Sequence, residues 1–197
     1  SNIAVDGDFD ACQDIVKAMF ADTSFRDEVN LSAVNSINWA RVMAQIVYYV
    51  YSAVRLGAPD RQISFAVPTG NFGNVFAAYS ARQMSLPIEK LVIGSNSNDI
   101  LTRFFEADDM TMRPVRPTIS PSMDIQVSSN FERLLFDLYD RNGAATAEAM
   151  QTFRASGVLQ VGENRHAAAK AMFGAARFDD QETMAAIARW QKSSGYL

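Results

Sequence analysis

Residues 62–84 read Gln-Ile-Ser-Phe-Ala-Val-Pro-Thr-Gly-Asn-Phe-Gly-Asn-Val-Phe-Ala-Ala-Tyr-Ser-Ala-Arg-Gln-Met. The apolar run Ile63–Val67, stopped by Pro68, predicts a buried strand. Gly70 and Gly73 predict a tight turn, and a helix opens near Asn74 and runs over Val75–Met84. Two glycines with only Asn71 and Phe72 between them let the backbone approach an oxyanion, and the unpaired N–H groups of a helix start point at it. This is a socket for a phosphate monoester. No Lys-Ser or Lys-Thr follows Gly73 and the third glycine of a dinucleotide fingerprint is lacking, so a triphosphate or dinucleotide loop does not fit. The same two glycines also suit a plain strand-to-helix turn, and the neighbouring segments must separate the two readings.

Downstream, Leu86-Pro87 leads to a second apolar run, Lys90–Ile93, which predicts the next parallel strand of a βαβ crossover. Its loop, Gly94 to Asp99, falls at the carboxyl end of that strand, where open parallel sheets place ligands; it also suits a capping turn for a helix over Asp99–Phe105. Upstream, Ser36–Leu56 reads as the longest helix, capped by Asn35 or Ser36, ended by Gly57 and Pro59, and apolar nearly all round, hence expected to be buried. Ile3–Val5 reads as a first strand, followed after Asp8 by a helix to about Phe20. Residues 108–122, with three prolines, predict an extended connection. Beyond it the chain is mainly helical: a stripe of Phe131, Leu134, Leu135 and Leu138, then helices over Ala144–Phe153, Asn164–Phe173 and Asp180–Gln191, with their Met and aromatic positions in the core. The fold class is α/β, a parallel sheet with flanking helices and a helical C-terminal part, divided as 1–122 and 123–197.

With 197 residues and 48% hydrophobic content the chain supports a sizeable core. Its net charge is −4, and no basic block marks either end, which argues against nucleic acid and anionic membrane as partners. The longest apolar stretch, Ile46–Val54, is far short of the roughly 20 residues a spanning helix needs. Cys12 is the only cysteine and His166 the only histidine, so neither a disulfide, a metal site nor a Cys-His pair is expected. A reducing, cytoplasmic setting fits this cysteine usage. Both ends read as cut, since Ser1-Asn2 precede an apolar run with no initiator methionine and Tyr196-Leu197 follow a helix-ending Ser-Ser-Gly.

Four separated blocks carry a resemblance. Asn35-Ser36-Ile37-Asn38-Trp39-Ala40-Arg41, Val67-Pro68-Thr69-Gly70-Asn71-Phe72-Gly73-Asn74, Asn98-Asp99-Ile100-Leu101, and Ser120-Pro121-Ser122-Met123-Asp124-Ile125 with Ser128-Ser129-Asn130-Phe131-Glu132-Arg133 stand in the order found in threonine synthase of the microbial and fungal type. The resemblance covers essentially the whole chain and implies a central piece of a pyridoxal-phosphate (PLP) lyase. It implies the tryptophan synthase β-like fold, fold type II of the PLP enzymes, and the conversion of O-phosphohomoserine and water into threonine and phosphate. It places the cofactor's phosphate on Gly70, Asn71, Phe72, Gly73 and Asn74, the residues of the socket. Ser36, Asn38, Arg41, Asn96, Asn98, Asp99 and Asn130 are the polar residues of these blocks and the candidates for the substrate cleft. Arg41 suits a carboxylate or phosphate through its planar fork, or a structural ion pair; Asp124 and Glu132 suit structural hydrogen bonds or acid-base work.

The family's Schiff-base lysine lies in a Phe-Lys-Asp-like context. Lys17, Lys90, Lys170 and Lys192 are followed by Ala, Leu, Ala and Ser, so no catalytic residue is assigned within the chain. The 197 residues alone are therefore expected to be inactive. Two other readings stay open: a related serine or threonine dehydratase, against which the Ser120–Arg133 block speaks, and a non-catalytic phosphate-binding domain.

Overall fold

A computed structural model describes residues 3–7 and 9–196. In chain order the elements are α1 (Phe9–Ala21), α2 (Thr23–Glu28), α3 (Trp39–Arg55), β1 (Ile63–Pro68), α4 (Gly73–Gln83), β2 (Ile88–Ser95) and α5 (Ile100–Ala107). They continue with β3 (Met110–Thr111), a 3-10 turn over Pro121–Met123, α6 (Phe131–Leu138) and α7 (Gly143–Ser156). The last are β4 (Val158–Leu159), α8 (Glu163–Met172), β5 (Phe173–Arg177) and α9 (Asp180–Ser194).

Local chemistry sets many of the boundaries. Asn38, Asn142 and Asp179 each accept a backbone N–H of the first turn they open, and Glu182 closes a capping box with Asp179. Gly157 and Gly195 end α7 and α9 in the left-handed conformation.

The centre is the βαβ unit that the opening stretch predicts. β1 and β2 pair in parallel, Val67 beside Ile93 and Pro68 beside Gly94, with α4 crossing between them. β5 joins the other side of β2, also in parallel, giving the order β1-β2-β5. All three strands therefore deliver their outgoing loops to one edge. Phe72, Phe104, Phe105, Phe131 and Phe173 form the aromatic centre of the core below that edge, Phe104 and Phe131 lying 4.8 Å apart edge to face.

The structure departs from the sequence expectations in five places. Ile3–Val5 is irregular and exposed instead of a strand, since no partner strand lies beside it among the described residues; Asp8 lies outside them. α3 begins at Trp39, capped by Asn38 in place of Asn35 or Ser36. It is not buried all round: Val42 and Ala53 are covered, while Met43, Val47, Tyr48, Tyr51 and Val54 stand exposed, because α4 covers only one side of it. β1 alternates instead of being buried throughout, Ser64 and Ala66 facing outward, as an edge strand with one open face does. Phe173–Arg177, read from sequence as a helix end and a loop, is the third parallel strand, so the sheet draws on both halves of the chain. Met184 and Trp190 on α9 lie on the surface and not in the core.

Candidate functional site

Residues 69–74 connect β1 to α4 at the carboxyl edge of the sheet. Thr69 hands its N–H to Gly94 O at 3.0 Å, and its hydroxyl accepts from Phe72 N at 3.1 Å while donating to Asn74 Oδ1 at 2.8 Å. Asn74 Nδ2 reaches back to Pro68 O at 3.1 Å. The turn is thereby clamped by two polar side chains inside it.

The residue in the left-handed region is Phe72, with φ of 62°, and not either glycine. Such a φ is unfavourable for a bulky side chain and persists because the ring is fully buried, 5.3 Å from Phe131 and 5.9 Å from Phe173. The glycines answer a different need. A Cβ on Gly73 would lie 2.8 Å from Ser36 Cβ and 3.4 Å from Asn130 Nδ2, and one on Gly70 would lie 3.1 Å from Met123 Cα. Both permit neighbouring backbone and side chains to close in on the loop.

The segment 128–130 grips the loop from behind. Ser128 Oγ donates to Gly70 O at 2.8 Å, and Asn130 donates to Asn71 O from both N and Nδ2, each at 3.1 Å. Ser129 Oγ and Gln13 Nε2 both donate to Asn71 Oδ1 at 3.3 Å. Asn130 Nδ2 also reaches Ser36 Oγ at 3.0 Å, tying the segment before α3 to the loop. A trans peptide points its C=O and N–H in opposite directions, so pinning Gly70 O to Ser128 turns the Asn71 N–H the other way. The N–H groups of Gly70, Asn71, Gly73 and Asn74 donate to no acceptor among the described residues. Four N–H groups without an acceptor thus lie within five residues at the N-terminus of an eleven-residue helix, which favours an anion.

No protein-family model matches the chain. Threonine synthase of Pseudomonas aeruginosa is 53% identical over 196 residues, a match that covers 100% of this chain and 42% of that protein. Threonine synthase of Corynebacterium glutamicum is 45% identical, over 95% of this chain and 40% of its own length. The crystal structure of PLP-bound threonine synthase from Brucella melitensis matches with a TM-score of 0.89 at 52% identity, over 98% of this chain and 42% of that one. The chain belongs to the threonine synthase family. It spans about 42% of the length of the first of these relatives.

Within this segment the seven polar candidates separate into groups. Ser36 and Asn130 meet at the loop. Asn38 caps α3 and holds Ala33 O at 2.8 Å, and Arg41 stands exposed on α3 with no ion-pair partner among the described residues. Asn96 and Asn98 hold the connection 116–124: Asn96 Nδ2 lies 2.7 Å from Asp124 Oδ1 and 2.8 Å from Thr118 Oγ1, and Asn98 brackets the Arg116 backbone at 2.8 and 2.9 Å. Asp99 pairs with Arg103 at 2.9 Å. Asp124 is the hub of these bonds, a structural role for a carboxylate that sequence left open; Glu132 lines a separate cavity of about 640 Å³ beside α7 that shares no residue with the loop.

Sequence reasoning did not single out Thr69, Ser128 or Gln13 as loop-positioning residues. Ser128 stood in a block already marked, and its position two residues before Asn130 puts both on the loop. Gln13 carried no signal, since a lone glutamine on a helix reads as surface. It is buried, and its Oε1 has no partner among the described residues.

Proposed function

We propose that the protein carrying this chain converts O-phosphohomoserine and water into threonine and phosphate with PLP as cofactor. The observation that carries this reading is the set of four N–H groups at 70–74 that have no acceptor among the described residues, in a loop whose carbonyls Ser128 and Asn130 occupy and in a chain whose relatives are threonine synthases. The loop fits a phosphate monoester: it offers donors without a competing carboxylate, and the helix dipole adds to them. When bound, the cofactor supplies an electron sink for the amino-acid carbons next to its nitrogen.

This chain's own part is to bind and orient. Gly70, Asn71, Gly73 and Asn74 hold the phosphate, Phe72 locks the turn through its buried ring, and Ser128 and Asn130 keep the loop's carbonyls turned inward. Two of the four lysines are engaged elsewhere, Lys90 Nζ donating to Lys170 O at 2.8 Å and Lys170 Nζ to Glu106 O at 3.3 Å, and none stands in the Phe-Lys-Asp-like context. That supports a lysine supplied from the remainder of the protein, and with it an inactive isolated segment. We place the protein in the cytoplasm, a reading that the cysteine usage supports; no helix among the described residues is long and apolar enough to cross a membrane.

The test is an assay of the full-length protein with O-phosphohomoserine. Equal release of threonine and phosphate, dependent on added PLP, is expected. Conversion of serine or threonine to a keto acid, with O-phosphohomoserine untouched, would replace this reading by a dehydratase.

A further inference from the structure

A second polar cavity opens at the carboxyl edge of the sheet, at the ends of β2 and β5. It measures about 390 Å³, within the range of roughly 300–1,000 Å³ found for small-molecule pockets. Ser97, Asp99, Arg113, Arg116, Gln126 and Arg177 line it. Ser97 follows β2 directly after Asn96, and Arg177 is the last residue of β5. The Phe178 N–H on Ser95 O, at 2.9 Å, binds the two strand ends together.

The charges here do not cancel. Asp99 is held by the buried Arg103, whose Nε lies 2.9 Å from Asp99 Oδ1 and whose Nη1 lies 2.8 Å from Asp109 Oδ2. Arg113 and Arg177 approach Asp99 only to 3.9 and 3.8 Å, and Arg113 approaches Asp109 to 3.7 Å, all beyond hydrogen-bond reach. Arg116 has no ion-pair partner among the described residues. Four guanidinium groups thus share two carboxylates, and the three facing the cavity are the ones left without close acceptors.

Neutral donors point the same way. Gln126 Oε1 accepts from Arg113 N at 3.2 Å, which leaves its Nε2 as a donor on the cavity wall with no acceptor among the described residues. The Ser97 hydroxyl likewise has no partner among the described residues. Planar guanidinium forks together with neutral N–H and O–H donors and a surplus of two positive charges match a compact dianion.

We propose that this cavity is a second anion site, separate from the loop at 70–74, that takes a phosphate dianion, either free or as the phosphate of a monoester. Asn96 and Asn98 shape it by holding the connection 116–124 over the strand ends, which sets Arg116 and Gln126 opposite Ser97. The inference stands on the cavity and not on the cofactor reading.

The experiment is a calorimetric titration of inorganic phosphate into the full-length protein saturated with PLP, whose absorbance reports the cofactor reading separately. One saturable site is expected, weakened about tenfold in Arg116→Gln as for loss of one charged hydrogen bond, and further in an Arg113→Gln/Arg177→Gln pair. Arg189→Gln, a remote surface change on α9, should leave it unaltered. A non-hydrolysable phosphonate analogue of O-phosphohomoserine that displaces the phosphate identifies the occupant as the phosphate of a monoester; if it does not, free phosphate is the occupant. No saturable binding, equal affinity in Arg116→Gln and wild type, or equal weakening by Arg189→Gln would overturn the proposal.

Discussion

Two regions with unpaired donors lie at the carboxyl edge of the sheet and are built in opposite ways. In the loop at 70–74 the polar side chains turn inward onto the backbone, Thr69 and Asn74 within the turn and Ser128 and Asn130 behind it, and the backbone donors are left free. At the arginine cavity the backbone is what is fixed, by Asn96, Asn98 and Asp124, and the side chains are left free. A backbone site depends on conformation, so a small side chain in the wrong place destroys it. A side-chain site depends on charge, so it weakens in steps.

The contrast is broken most severely at Gly73. In Gly73→Val the new Cβ would stand 2.8 Å from Ser36 Cβ, with its γ-methyls adding to the crowding, so either the loop or the segment before α3 must move. Full-length Gly73→Val should lose PLP absorbance and activity together, with stability lowered by about 1–3 kcal/mol, the usual cost of overpacking. Retention of cofactor binding would show that the loop is not the backbone site described here.

A matched pair of asparagines sharpens the difference. Asn130→Ala removes the Nδ2 contacts to Asn71 O and Ser36 Oγ and leaves the Arg133 Nε without its acceptor at 3.0 Å; Asn96→Ala removes the contacts that hold 118–124. Each should cost about 1–3 kcal/mol in urea unfolding, the penalty for buried polar groups left unpaired. Only Asn130→Ala should also raise the dissociation constant for PLP in a fluorescence titration. An equal rise in both would merge the two regions into one.

The smallest effect concerns acid. Hydrogen bonds from Thr111 and then Arg103 hold the Asp109 carboxyl down to about 2, outweighing the opposing effect of burial. A carboxyl lowered in the folded state contributes stability that is present above its unfolded value of about 3.9 and is lost as the pH falls from there towards 2. Asp109 is partly exposed, so solvent screening keeps the contribution modest. Unfolding midpoints measured from pH 5 to pH 2 should fall less steeply in Asp109→Asn than in wild type. Identical slopes would mean that Asp109 does not anchor the arginine side.

How much of this was legible beforehand differs between the same two regions. The loop was legible because its signal is local: strand, Pro68, paired glycines and helix lie within 23 residues, and backbone donors at a helix start follow from chain direction alone. Its supports were only partly legible, since Ser128 and Asn130 lie 58 residues or more from the groups they hold. The cavity was visible only as a polar loop after the second strand. Nothing local links Ser97 to Gln126 or Arg177, and β5 itself was read as the end of a helix and a loop, because Phe-Gly-Ala-Ala-Arg has neither alternation nor β-branched residues and becomes a strand by pairing with β2.

By itself, the sequence determined the βαβ unit, the socket and the family-like blocks, because hydrophobic period, turn residues and helix starts act over a few neighbouring residues. Tertiary structure alone decided which donors stayed free. That outcome depends on which distant groups reach each carbonyl and carboxylate first: Ser128 and Asn130 occupy the loop's carbonyls, and Arg103 occupies Asp99, leaving Arg113, Arg116 and Arg177 without a close acceptor. It also decided that Phe72, and not a glycine, takes the left-handed conformation, since only a packed aromatic core holds a bulky residue there.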